Sequence, residues 1–181
     1  MQEAGIIESL DEEREASLFL TASEVLEGQG FSHYEVSNYA REWQKGLGNR
    51  SGETLYVCRH NLKYWERAPY LGLGPSAHSF DGRLRWWNRR SVRQYCRELE
   101  CGRRPVEGSE RLSEDQASLE KLSLELRTRA GTDVRDLYRF EKADRVLAWL
   151  VEAGFLELTG ERAVPTREGF LVADRLPLLF L

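Results

Sequence analysis

An α/β segment followed by a smaller, mostly helical α+β segment is the fold class these 181 residues predict. Two observations carry this expectation. Near the start, Ala16, Phe19, Leu20, Ser23 and Leu26 recur at helical spacing, and Gly28 and Gly30 then lead into the alternating HYEVS of a strand. From Ser113 onward helical stripes dominate, interrupted by one hairpin pattern.

Taken in order, Ser9 and Glu12 form a capping box at the head of the first helix. That helix, the glycine-containing loop and the strand at 33–37 make the αβ half of a βαβ unit. Residues 41–54, polar and glycine-containing, read as a loop. CRHNLKYW (Cys58–Trp65) also reads as loop, although it gathers a cysteine, a histidine, a tyrosine and a tryptophan in a chain poor in all but tyrosine. PYLGLGPSAHSF predicts a short apolar strand at 70–73 ending in a Gly-Pro turn, and RLRWWN predicts extended chain. A helix follows from Ser91 to Glu100. The polar stretch Gly102–Gly108, with Pro105, is the best boundary between domains.

Beyond it, Ser113 and Gln116 form a second capping box, and Leu119, Leu122 and Leu126 give that helix an inner stripe. Asp133–Phe140 reads as a short helix. Ala143, Val146, Leu147, Leu150 and Val151 mark another, closed by Gly154. Phe155–Leu158 and Ala163–Val164 pair around Gly160-Glu161, and Thr166 caps a last helix that ends before Pro177. Three helices, a hairpin and a final helix suggest a winged-helix arrangement.

The composition is that of a soluble globular protein, 41% hydrophobic and 31% charged, and no apolar run approaches the roughly 18 to 20 residues of a membrane span. Three cysteines argue against a disulfide framework, so a reducing cytoplasm is the expected compartment. The net charge of −4 is unevenly spread: residues 59–104 carry eleven Arg/Lys and four Asp/Glu, residues 109–181 eleven and fourteen. The middle suits anionic ligands, or is a solvated face with internal salt bridges. The C-terminal third is a poor match for a phosphate backbone.

Several side chains carry chemistry. If the strands belong to a (β/α) barrel, the residues after their C-terminal ends are the reactive ones: Ser37, Asn38 and Tyr39 after the first, Gly74 to His78 after the second. Gly72 and Gly74 would let a ligand or another backbone approach, or serve packing alone. His60 offers an imidazole suited to haem iron or another transition metal, beside the flat apolar area of Tyr64 and Trp65. The plainer alternative is a half-buried histidine satisfied by backbone groups. His78 carries the same ambiguity, and His33 reads as structural. Cys96 and Cys101 do not have zinc-site spacing, and no catalytic residue is assigned.

EVSNYA, HNLKYW, YLGLGPSAHSF and the Arg and Asn of RWWN, in this order and spacing across residues 11–100, resemble the C-terminal half of the HemN/HemW family. These are radical SAM proteins once all described as oxygen-independent coproporphyrinogen III oxidases. Residues 109–181 resemble the family's C-terminal domain. The resemblance implies three segments: 1–88, the last strands and helices of an incomplete (β/α) radical SAM barrel; 89–108, a connecting helix and linker; 109–181, a small winged-helix-like domain. The HNxxYW element, here His60-Asn61-Leu62-Lys63-Tyr64-Trp65, is expected in the HemW-like haem chaperone branch. It implies haem binding by His60 as iron ligand with Tyr64 and Trp65. It implies that Asn61, Gly74, Ser76, Ala77 and His78 face cofactor or substrate.

The family's CxxxCxxC motif, whose thiolates hold the [4Fe–4S] cluster that binds S-adenosylmethionine, does not occur; Cys58, Cys96 and Cys101 cannot imitate it. The chain therefore reads as a C-terminal fragment, inert alone. Its expected partners are haem or porphyrin, the missing N-terminal barrel half, a haem-acceptor protein and, through exposed sheet edges, a second copy. One alternative is the same part of a coproporphyrinogen III oxidase, whose substrate carboxylates would suit the basic middle. The other is a winged-helix nucleic-acid module, disfavoured because Lys142–Ala153 sets Lys142 and Arg145 against Asp144 and Glu152. After anaerobic reconstitution with iron and sulfide, the chain is expected to give no reducible cluster signal by electron paramagnetic resonance; such a signal would overturn the inert-fragment expectation.

Overall fold

The computed structural model describes residues 10–41 and 56–181. They fall into two compact units, one formed by Met1–Cys58 with Glu125–Leu181 and the other by Arg59–Leu124.

In the first unit, α1 (Glu12–Gly28) begins at Asp11, whose carboxylate accepts the Arg14 N–H at 2.8 Å. Three glutamates in its first turn suit the positive end of the helix dipole. Gly30, at φ +78°, turns the chain into β1 (Phe31–Glu35), which pairs antiparallel with β2 (Asn38–Arg41). The other edge of β1 is also covered. The Val36 N–H donates to the Arg127 carbonyl at 2.8 Å, and the Arg129 N–H donates to the Tyr34 carbonyl at 3.0 Å. Ser32 to Glu35 are consequently all buried.

His33 is buried in this layer, 2% exposed. Its ring stacks on Tyr39 at 4.1 Å and lies against Phe170 and Phe19 at 4.6 and 5.7 Å. Tyr39 in turn shares a 2.5 Å hydrogen bond with the buried Ser23 of α1.

The second unit holds α2 (Arg59–Trp65), β3 (His78–Phe80), β4 (Leu84–Asn88), α3 (Val92–Glu100), β5 (Val106–Arg111) and nearly all of α4 (Glu114–Glu125). Its three strands form one antiparallel sheet in the order β3-β4-β5. Ser91 caps α3 by accepting the Gln94 N–H. The capping box before α4 is reciprocal: the Ser113 N–H donates to Gln116 Oε1 at 2.9 Å and the Gln116 N–H to Ser113 Oγ at 3.2 Å.

The chain then returns to the first unit with β6 (Thr132–Asp133), α5 (Val134–Leu137), α6 (Ala143–Glu152), β7 (Leu156–Thr159), β8 (Arg162–Pro165) and α7 (Arg167–Leu171), closing on a 3₁₀ turn, Leu176–Phe180. The strands make an antiparallel sheet in the order β6-β8-β7. Leu126, Leu137 and Leu150 are wholly buried, with Leu156, Leu176 and Phe180 nearly so. At roughly 1.5 to 3 kcal/mol for each such side chain, they are the main hydrophobic support of this region.

Several expectations change. Cys58–Trp65 is largely helix rather than loop: from Arg59 to Ala68 nothing breaks a helix, and the first proline is Pro69. Residues 70–73 make no strand; Tyr70 bridges Phe80 and the glycines then bend the chain away. The expected linker Gly102–Gly108 is partly β5, because β4 offers it an edge. The units accordingly divide the chain differently from the segments 1–88, 89–108 and 109–181. Helix, glycine loop and strand do follow one another at 12–35, but every strand pair among the described residues is antiparallel, so the parallel pairing of a βαβ unit is not among them. Ser9 and residues 42–54 lie outside the described residues. No helix among the described residues is long and apolar enough to cross a membrane.

Burial lowers the His33 pKa below the ordinary 6.5, outweighing its bond to the Val36 carbonyl and the nearby Glu27 and Glu35. Below pH 6.5 the unfolded chain takes up a proton that the folded one resists, so the stability this neutral ring contributes is complete above 6.5 and is lost as the pH falls below it. Urea denaturation between pH 7.5 and 5.5 is expected to show that fall, with a shallower slope in a His33→Gln chain.

Candidate functional site

The candidate site lies in the second unit, on α2 and the glycine-rich turn after it. A helix turns about 100° per residue, so neighbours in sequence do not share a face. Arg59, Lys63, His60 and Tyr64 fall in that order across about 140° of the α2 surface, and all four are exposed. Asn61, Trp65 and Leu62 occupy the opposite side and are half-buried.

The outward face is braced from behind. The His60 ring meets Tyr64 edge-on at 5.1 Å, Tyr64 meets Tyr70 at 5.0 Å, and Tyr70 meets Phe80 at 6.3 Å. Backbone hydrogen bonds in both directions, 2.8 and 2.9 Å, tie Tyr70 to Phe80 of β3. Arg67, just past the helix at φ +53°, lies over the Phe80 ring at 5.2 Å and donates to Glu120 at 3.0 Å. Arg85 covers the same ring at 5.6 Å and donates to both Glu110 and Glu120.

The turn from Gly72 to His78 is held by side chains that reach it from elsewhere in the unit. Asn88, 6% exposed, donates through Nδ2 to the carbonyls of Gly74 at 3.0 Å and Gly72 at 3.4 Å. The Gly72 N–H donates to the buried Ser79 hydroxyl at 2.9 Å, and the Gly74 N–H to the Tyr95 hydroxyl at 3.1 Å. Gly74 and Ser76 both have left-handed backbones, φ +103° and +61°. Ser76 and His78 are exposed, and His78 stacks at 5.8 Å on Trp87. Leu71 and Leu73 stand 70% and 81% exposed beside Gly72.

The sequence-predicted residues are thus only partly brought together. His60 and Tyr64 share a face; Asn61 and Trp65 turn away from it. No hydrogen bond or ring contact among the described residues joins His60 to Gly74, Ser76, Ala77 or His78. Ser37, Asn38 and Tyr39 belong to the other unit, where Ser37 and Tyr39 line a cavity of about 740 Å³ that also carries Glu12, Glu15 and Asp174. Sequence reasoning missed Tyr70, Phe80, Arg67, Glu120 and Tyr95. A separation of 53 positions between Arg67 and Glu120 leaves no local pattern to find them by.

The comparisons with known proteins fit this frame. No protein-family model matches the chain. Against the haem chaperone HemW of Mycobacterium tuberculosis strain H37Rv it is 38% identical over 151 residues, 82% of this chain. The chain belongs to the HemN/HemW family. HemW of Synechocystis is 36% identical, also over 82% of the chain, and the radical S-adenosyl methionine domain-containing protein 1 of Danio rerio mitochondria is 40% identical over 42% of it. The HemN/HemW chain spans about a third of the length of these HemW relatives, 35% in both cases. Among solved structures, coproporphyrinogen III oxidase HemN of Escherichia coli, a radical SAM enzyme, matches 94% of the chain and 42% of its own, with a TM-score of 0.62 at 15% identity. That likeness establishes the fold.

A Cβ at Gly72 would stand 2.0 Å from the His78 carbonyl oxygen, and backbone cannot yield as a side-chain tip can. Gly72→Ala is therefore expected to destabilise the second unit by about 2 kcal/mol or more, in the range of overpacking, whereas Ala77→Gly, which only loosens the unfolded chain, costs about 1 kcal/mol or less. Thermal melts of the two variants check this.

Proposed function

We propose that this chain is the haem-facing C-terminal part of a longer HemW-like haem chaperone. One observation carries the reading: the HNLKYW element folds as a two-sided helix that presents His60 and Tyr64 outward and anchors itself through Asn61, Leu62 and Trp65. Similarity to HemW chaperones over 82% of the chain supports it.

The residues present fit an iron porphyrin as cargo. The His60 imidazole is exposed, and no hydrogen bond occupies its ring nitrogens among the described residues. A neutral imidazole is a good ligand for haem iron. Tyr64 limits the swing of that ring and offers apolar surface to the macrocycle, with the exposed Leu71 and Leu73 as further apolar area in the same unit. Trp65 acts from the inner side as an anchor. In this reading Gly74, Ser76, Ala77 and His78 face the cofactor or substrate of the assembled protein.

The [4Fe–4S] cluster and S-adenosylmethionine are assigned to the remainder of the longer polypeptide, the N-terminal barrel half, and this chain alone is inert. Residues 109–181 read as winged-helix-like from the succession α4, β6, α5, α6, β7, β8. Arg145 of α6 stands with Asp144 and Glu152, which favours docking to the barrel or to a haem-acceptor protein over binding nucleic acid. The exposed free thiols of Cys58, Cys96 and Cys101 are in keeping with a reducing cytoplasm.

Absorbance titration with haem is the test. Wild-type chain is expected to bind with a red-shifted Soret band. His60→Ala is expected to lose that shift and about tenfold or more in affinity, the scale of removing one metal ligand's support. An unchanged spectrum in the variant removes His60 from the site.

A further inference from the structure

The outward face of α2 carries two cations as well as the imidazole and the phenol. Arg59 and Lys63 lie one turn apart, directly beside the line from His60 to Tyr64. Neither has an ion pair among the described residues. Arg67 and Arg85 are held by Glu120, Arg89 by Glu107 and Arg103 by Glu98, whereas Arg83, Arg90, Arg93, Arg97, Arg104 and Arg111 also show no ion pair among the described residues; what distinguishes Arg59 and Lys63 is their place on the same helix face as His60. α2 itself holds no acid; Glu66, which follows it on the side of Lys63, is exposed and has no ion pair among the described residues.

Resting on the haem reading above, we infer that Arg59 and Lys63 pair with free carboxylates at the rim of a flat metallo-tetrapyrrole whose metal meets His60. The ligand class is thereby narrowed to tetrapyrroles with ionised acid side chains, as opposed to their esters. The chemistry favours this assignment on three counts. Both cations sit on long flexible stems and reach past the imidazole without moving the helix. Carboxylates fixed to the rim of a rigid ring are held at a set distance from its metal, so two pairs resist rotation of the ring about the metal–His60 bond. The cavity of the other unit sets Glu12, Glu15 and an Arg127-paired Asp174 against a single lining cation, Arg175, and so offers the same groups less. Each exposed pair is weak, so the pairs orient the ligand more than they hold it.

The experiment compares haem with haem dimethyl ester, in matched detergent and low salt, on wild type, Lys63→Ala and Arg59→Glu/Lys63→Glu. The double variant is expected to bind haem about tenfold more weakly and Lys63→Ala about two- to threefold, since lost attraction and new repulsion add. All three are expected to bind the ester alike, and raising the salt is expected to shrink the haem difference. Equal losses for haem and ester would mean a structural role and overturn the assignment, as would no loss for either. Lys63→Ala decides the matter if the double variant fails to fold. His60→Ala with an unchanged Soret band sinks the iron–His60 reading, while the ester comparison still judges the carboxylates. A wild-type chain that binds no haem overturns both.

Discussion

Two guanidinium groups in the second unit share one phenyl ring and one carboxylate. Arg67 and Arg85 flank Phe80 and converge on Glu120, so the end of α2, the sheet edge at β3 and the helix α4 are fixed by a single charged junction. All three ionic side chains are largely withdrawn from solvent. A hydrogen bond to a charged group contributes about 1.5 to 3 kcal/mol in such settings, and a cation over an aromatic ring about 0.5 to 2 kcal/mol. The row from Phe80 through Tyr70 and Tyr64 to His60 begins at this junction. The direction in which His60 faces therefore depends on residues more than 50 positions away in the chain.

The same dependence explains what was legible in the sequence. Features governed by neighbours a few residues apart came through: α1, the Ser113–Gln116 capping box, Thr166 at the head of α7, and the hairpin turning at Gly160. Features governed by distant partners did not. Residues 102–108 are polar and carry a proline, yet their second half is a strand because β4 lies beside it. Residues 70–73 have strand composition, yet Asn88, Ser79 and Tyr95 draw the backbone into a turn. Of the site, His60 and Tyr64 were legible from the HNLKYW string itself, which reads as loop; the helix that sets them one turn apart and the brace behind them were not.

The HNLKYW element also changes meaning once it is a helix. As a string it gathers scarce side chains in one place; as a helix it separates them. Asn61 and Trp65 are four apart and go inward together, His60 and Tyr64 are four apart and go outward together, and Lys63 joins the outward pair. A short motif can thus hold two sets of residues under different demands, one that seats the helix and one that it presents to solvent.

The first unit is broken in sequence by the whole of the second, and this sets a timetable for its making. Ser32 on β1 receives its hydrogen bond from Arg129, 97 residues later in the chain. At a ribosomal pace of about 5 to 20 residues per second, β1 emerges on the order of 5 to 20 s before the turn at 127–129 that completes its edge. The second unit, continuous from Arg59 to Leu124, has all of its parts within that interval. During synthesis, α2 can therefore be folded while β1 still offers an open edge to whatever else is in reach.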